Sequence, residues 1–350
     1  MLERQATKLL ARQASADATS AHPATPRLSA SLMIVYPLKT PASDGYNYRI
    51  LLLQRTKKTS FSSAYVFPGG NVDRAADEVL AARLVPQELE SATLRICAIR
   101  ETFEECGILL ARDAQGRRIE WPGNGDSKLA WRERVHDDAS QFAELLKELD
   151  ATPSLDLLAP RANWTTPVIM PTRWDTTFYW TILPPVENDA ALTPEVVSDG
   201  KETVLAAWYT PREAVEAAYA RKIILAPPQV YLLAELIQDK DYRALLHDKY
   251  ARVPRARSRL VINFTPRFAT VPSDEGGEDV FACLYPGDAF YEGEELASVD
   301  DPRRHRLYML PAQKNQLVGI VRKNLGTEWG VEWSDFVYGS SSLPPPRAKL

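Results

Sequence analysis

Two short apolar runs, 29–37 (SASLMIVYP) and 48–55 (YRILLLQR), flank a stretch rich in Pro, Ser, Asp and Gly at 37–46. Runs of this length, bounded by turn residues, predict two strands joined as a hairpin. Residues 63–68 predict a third extended piece, stopped by Gly69 and Gly70, and 71–93 read as polar and irregular. Then the period changes. Ile96, Ile99, Phe103 and Cys106 recur at steps of 3, 4 and 3, the apolar face of a helix, and Gly107 is a natural stop. Residues 108–111 predict a strand. A second helical pattern covers 137–149 through Phe142, Leu145, Leu146 and Leu149. Extended segments are expected at 166–170, 176–183 and 204–209, and helices at 211–221 and 229–237. Shorter extended runs follow at 260–264, 280–285 and 306–310. With no internal repeat, this mixture predicts an α+β fold in which antiparallel pairings outweigh a doubly wound sheet.

Composition narrows the function. The 350 residues are 45% hydrophobic and 25% charged, enough to bury a sizeable core, and the length suggests two domains or one core with insertions. Lys and Arg number 42 against 46 Asp and Glu, a net charge of −4, so no general basic field points to nucleic acid. Cys97, Cys106 and Cys283 form no C-x-x-C pair and no disulfide framework. The four histidines (His22, His136, His247, His305) include no H-x-x-x-H pair, which disfavours a histidine zinc site. No apolar run reaches the roughly 18 residues that span a bilayer. Residues 1–27, with Arg4, Lys8, Arg12 and Arg27, read as a flexible tail. A mitochondrial transit peptide is the other reading, which Glu3 and Asp17 weaken.

The chemistry concentrates in Arg100-Glu101-Thr102-Phe103-Glu104-Glu105-Cys106-Gly107. On a helix Glu101 reaches Glu104 at i+3 and Glu105 at i+4, so the carboxylates gather on one side. Two readings fit that face: a solvated acidic surface, or a site for a hard divalent cation that offsets the repulsion. Gly69 and Gly70, ending a strand ahead of the helix, would let backbone approach a ligand closely.

F-P-G-G followed by R-E-T-F-E-E-C-G resembles the nudix box of the nudix hydrolases, G-x5-E-x7-R-E-U-x-E-E-x-G-U with U apolar. The second half matches at Arg100, Glu101, Glu104, Glu105, Gly107 and Ile108, with Thr102 at the first U position. The first half departs. Arg100 lies about sixteen positions too far from Gly70, and Ala76 stands where the pattern has its first glutamate. An insertion accounts for both and leaves that glutamate unassigned, with Asp77 and Glu78 nearby. The resemblance implies a nudix α/β/α sandwich around a mixed sheet that hydrolyses a nucleoside diphosphate linked to another moiety, using Mg²⁺ or Mn²⁺. Glu101 and Glu105 would be metal ligands. Glu104 would be a further ligand or the base that orients water, and Arg100 would position a glutamate.

The interrupted box, with N-W-T-T-P (163–167), R-W-D-T-T-F-Y (173–179) and L-A-P-P-Q (225–229), resembles the peroxisomal coenzyme A diphosphatase branch of the family. That branch implies cleavage of coenzyme A or its acyl esters to 3′,5′-ADP and (acyl-)4′-phosphopantetheine. Other nucleoside or isoprenoid diphosphates, and a non-catalytic binding module, are the alternatives. Arg55, Lys57, Lys58 and Arg173 are candidates for a 3′-phosphate, and Trp164, Trp174 and Tyr179 are either adenine-stacking or core residues. Glu195 and Glu202 are possible late catalytic glutamates. On this reading residues 28–240 form the nudix domain, with insertions at 71–93 and 112–163, and 241–343 form an extension packed on it. Residues 344–350 would be an exposed tail. There Ala348-Lys349-Leu350 is a variant of the address read by the peroxisomal import receptor.

Overall fold

Strand β1 (Arg27–Pro37) reads as one unbroken apolar run because both of its faces are covered. Met33 and Val35 lie in one buried cluster, and Leu32, Ile34 and Tyr36 in another. Strand β2 (Tyr48–Arg55) divides the same way, with Tyr48, Ile50 and Leu52 on the first side and Leu51 and Leu53 on the second. The computed structural model describes residues 24–56, 63–184, 203–246, 263–272, 279–291, 301–310, 316–323 and 336–339.

The remaining strands of the first half are β3 (Ala64–Val66), β4 (Gly69–Asn71), β5 (Ala111–Arg112), β6 (Thr152–Pro153), β7 (Ala159–Thr165) and β8 (Trp174–Ile182). Those of the second half are β9 (Thr203–Tyr209), β10 (Ile224–Leu225), β11 (Asn263–Phe264), β12 (Arg267–Val271), β13 (Val280–Leu284), β14 (Arg304–Leu310), β15 (Gln316–Lys323) and β16 (Phe336–Gly339). The central sheet runs β10-β3-β2-β1-β8-β7-β11, with β4 on β1 and β9 on β2. It is mixed. β1 is antiparallel to β2 and β4 and parallel to β8, from Arg27↔Trp174 to Val35↔Ile182.

The helices Leu89–Cys106, Gly125–Asp137 and Gln141–Glu148 cover the second face, through Phe103, Trp131, Val135, Phe142 and Leu145 among others. The first face is covered by Pro211–Tyr219 and Pro227–Glu235. A second, antiparallel sheet, β12-β13-β14-β15-β16, adds Phe281, Cys283, Leu307 and Ile320 to the same cluster. The expected α/β/α layering of an α+β protein is therefore present. No helix among the described residues is long and apolar enough to cross a membrane.

Several local expectations are corrected. Residues 71–93 are not irregular. They form a π-turn (Arg74–Glu78) capped by Asp73, a short helix (Val79–Leu84) and the start of the 18-residue glutamate helix at Leu89. Ala81 packs there with Ala92 and Ile96, which is what stabilises the added turns. The helix expected over 137–149 is Gln141–Glu148, and a separate helix ends at Asp137. Of 108–111 only Ala111 lies in a strand, paired with Pro153 of β6. Residues 166–170 turn, with the Met170 N–H donating to the Pro167 carbonyl, and the strand precedes them as β7. The insertion expected at 112–163 thus runs into a strand of the central sheet. Strand β11, from the region expected as an extension, joins that sheet beside β7.

The two sheets meet around a buried polar network. Arg161 and Arg322 both donate to Glu235, and Arg322 also donates to the Tyr231 hydroxyl. Burial alone would raise the Glu235 carboxyl, but the two arginines outweigh it and hold it below the ordinary value. His305 Nε2 pairs with the Tyr231 hydroxyl and Nδ1 with the Pro286 carbonyl, both at 2.7 Å. Burial pushes the His305 imidazole down to about 4 from an ordinary 6.5. The unfolded chain therefore binds more protons than the folded one between those values, and stability falls as pH drops through that window. Denaturant titrations from pH 7 to 4 are expected to lose about 3 kcal/mol through this residue. His305→Gln is expected to flatten that slope.

Candidate active site

The glutamate helix (Leu89–Cys106) lays Cys97, Ala98, Ile99 and Phe103 on the sheet, which places its acidic residues beside strand β4. That strand is fastened to β1 through Ser31↔Gly69 and Ala30↔Gly70. Ahead of it, the Pro68 carbonyl accepts from the Leu32 N–H at 2.8 Å and the Ser31 Oγ at 3.0 Å. The turn that approaches the helix is thereby fixed in place. Gly69 has φ +154°, and a Cβ there would sit 2.4 Å from the Ala30 carbonyl oxygen. At Gly70 a Cβ would sit 2.4 Å from Glu101 Cδ and 2.5 Å from both carboxylate oxygens. The two glycines are thus what lets backbone meet the carboxylates.

Arg100, only 4% exposed, is the hub. Its Nε and Nη2 donate to the two oxygens of Asp77 at 2.8 and 2.9 Å, a bidentate pair in which Asp77 is 1% exposed. Nη2 also donates to the Asn71 carbonyl at 3.1 Å. Nη1 donates to Glu101 Oε1 at 3.0 Å and to Glu104 Oε1 at 2.6 Å. Of the two carboxylates near the unassigned position, Asp77 is the one that reaches Arg100, whereas Glu78 pairs with Arg74 on the surface. Asp77 is further held by the Asp73 N–H at 2.9 Å, so the π-turn delivers it already oriented. Glu105 Oε2 accepts from the Gly69 N–H at 2.9 Å.

Asp77, Glu101 and Glu104 all accept from the one Arg100 guanidinium, and Glu101 is only 15% exposed. Burial pushes the Glu101 carboxyl up to about 8, with Arg100 opposing and Glu104 adding to the rise. A carboxyl this deeply buried is costly to ionise, and a cation placed against it would offset that cost. The donor set is carboxylate oxygen, which suits a hard divalent ion. Among the described residues no three His, Cys, Asp or Glu side chains close into a cage. Cys97, whose Sγ lies 3.7 Å from the Gly70 carbonyl, is a buried thiol pushed well above its ordinary value and contributes no nucleophile.

Other candidates lie elsewhere. Arg173 is buried, and its guanidinium serves the Thr166 and Ala24 carbonyls at 3.0 Å each, which makes it a fastener of the chain between β7 and β8. Trp164 and Tyr179 are buried in the two cores. Trp174 is partly exposed and its Nε1 donates to Asn71 Oδ1 at 3.1 Å, which brings it to the end of the glycine strand. Arg55 ends β2 opposite Thr203. Lys57, Lys58, Glu195, Glu202 and Ala348-Lys349-Leu350 lie outside the described residues.

The two glycines separate stability from chemistry. Gly69→Ala meets backbone and is expected to destabilise the fold by about 1–3 kcal/mol in denaturant titration. Gly70→Ala meets the movable end of Glu101. It is expected to leave the unfolding midpoint close to wild type while displacing that carboxylate and lowering hydrolytic turnover by at least tenfold.

Comparison with known proteins places the chain among relatives. The NUDT19 Nudix domain family matches residues 76–236. An acyl-coenzyme A diphosphatase NUDT19 from Xenopus laevis is 34% identical over 79% of this chain and 84% of its own length. Its counterpart from Gallus gallus is 32% identical over 71% of this chain and 76% of its own. Among solved structures, a nudix hydrolase from Alicyclobacillus acidocaldarius superposes with a TM-score of 0.52 at 21% identity, covering 63% of this chain and 96% of that one. Nudix hydrolases generally need divalent metal ions. On the strength of this similarity, the chain belongs to the nudix hydrolase family.

Proposed function

We propose that this enzyme hydrolyses the diphosphate bond of coenzyme A or acyl-coenzyme A, with Mg²⁺ or Mn²⁺, releasing 3′,5′-ADP and (acyl-)4′-phosphopantetheine. The observation that carries the hydrolytic reading is the Glu101 carboxylate seated against Gly70 and steered by Arg100. The names of the relatives support the coenzyme A part.

Glu101 and Glu105, one helical turn apart, would hold the ion. When bound, it activates water and neutralises charge on the diphosphate. Glu104 keeps one oxygen on Arg100 and uses the remaining lone pairs to accept a proton from the attacking water. Arg100 remains protonated throughout and serves as a rigid template. The Gly69 N–H keeps Glu105 from turning away. Of the candidates for the 3′-phosphate, Arg173 is engaged by two backbone carbonyls and Arg55 stands at the end of β2. The proposal also places the enzyme in the peroxisome through Ala348-Lys349-Leu350 and the import receptor. Deleting these residues from a fluorescent fusion is expected to abolish import.

Purified enzyme, assayed with coenzyme A, ADP-ribose, NADH and a prenyl diphosphate, is expected to favour coenzyme A species and to yield 3′,5′-ADP by chromatography. Glu101→Gln is expected to lower kcat by at least a hundredfold, the scale of losing one charge-stabilising group. Turnover of another diphosphate with no cleavage of any coenzyme A species would overturn the substrate assignment.

A further inference from the structure

Glu104 is also gripped from outside the nudix box. The helix Gly125–Asp137 lies in the segment expected as an insertion, and its Trp131 and Val135 pack in the cluster that holds Phe103 and Cys106. Arg132 and His136, spaced i, i+4, meet the glutamate helix together. Arg132 is buried, and its Nε donates to the Glu104 backbone carbonyl at 2.9 Å. That carbonyl is in the last turn of its helix, where no intrahelical N–H reaches it. Arg132 thus fastens the turn that carries both Glu104 and Glu105. One turn further on, His136 Nδ1 stands 3.7 Å from Glu104 Oε2, while Arg100 holds Oε1. A separation of 3.7 Å is longer than a hydrogen bond. The His136 side chain is 30% exposed, so the ring has room to close on the oxygen, as catalytic contacts do when substrate binds.

We propose that His136 is a positioning residue for hydrolysis: its ring N–H holds Glu104 Oε2 while Arg100 holds Oε1. A donor from His136 at Oε2 adds to the Arg100 grip at Oε1 and narrows the orientations the carboxylate presents to the attacking water. The inserted helix is thereby part of the active site. The inference rests on the role given to Glu104 above.

The test uses H136A, H136N, E104Q and the double variant H136A/E104Q. Steady-state kinetics are run on whichever of coenzyme A, ADP-ribose and NADH the wild type cleaves fastest. Mn²⁺ affinity is read by electron paramagnetic resonance, and the thermal midpoint is measured for each. H136A is expected to lose about 10- to 100-fold in kcat, the usual cost of an orienting partner, with KM, Mn²⁺ affinity and midpoint unchanged. H136N, whose side-chain amide donates from nearly the same place, is expected to recover most of the loss. In the E104Q background H136A is expected to cost nothing further, since the two act as one unit. A slow E104Q beside a wild-type H136A overturns this proposal alone, as does an H136A loss that adds fully to that of E104Q. An E104Q that turns over at the wild-type rate overturns the role of Glu104 and this proposal with it.

Discussion

Arg100 spreads its guanidinium over three stretches of chain: the Asn71 carbonyl of the glycine strand, the Asp77 carboxylate of the π-turn, and Glu101 and Glu104 on its own helix. A lysine has neither the planar fork nor enough fixed donors to do this. Because both groups are buried, replacing Arg100 strands the Asp77 carboxylate, at a cost of about 3–5 kcal/mol. The same constraint sets the chemistry. Arg100 spends two donors on Asp77 and points Nη1 at both Glu101 and Glu104, so the carboxylates are gathered at the end of one helix.

That arrangement holds its shape because its supports are held on both sides. Strand β4 hangs on β1, and β1 is packed against helices on one face and against the second core on the other. The glutamate helix and the helix Gly125–Asp137 share the face that carries the carboxylates. The antiparallel β12–β16 sheet and its buried Arg161–Glu235–Arg322–Tyr231–His305 network belong to the opposite face. The described strands of the C-terminal part therefore back the platform from the face opposite the carboxylates.

Much of this could be read from local patterns. The β1–β2 hairpin announced itself as two apolar runs around a turn, and the acidic face of residues 101–105 followed from helical spacing alone. Asp77 could not be read, because its role is set by a contact with Arg100 23 residues away, across an inserted segment. In R-A-A-D-E nothing local separates it from Glu78. The helix Gly125–Asp137 was missed because only Trp131, Arg132 and Val135 are buried along its 13 residues, too few for a clear apolar stripe. Its Asn124 cap was the available signal, and with it Arg132 and His136 would have come into view. Arg173 shows a related limit: no local pattern announces that its Nε and Nη1 serve the Thr166 and Ala24 carbonyls.

The central claim is that the Arg100-organised carboxylates form the seat of a divalent cation. The most direct measurement is anomalous diffraction from crystals soaked in Mn²⁺. The account predicts a peak within bonding distance of carboxylate oxygens of both Glu101 and Glu105, with Asp77 still paired to Arg100. A peak bound elsewhere, with Glu101 and Glu105 unliganded, would contradict it.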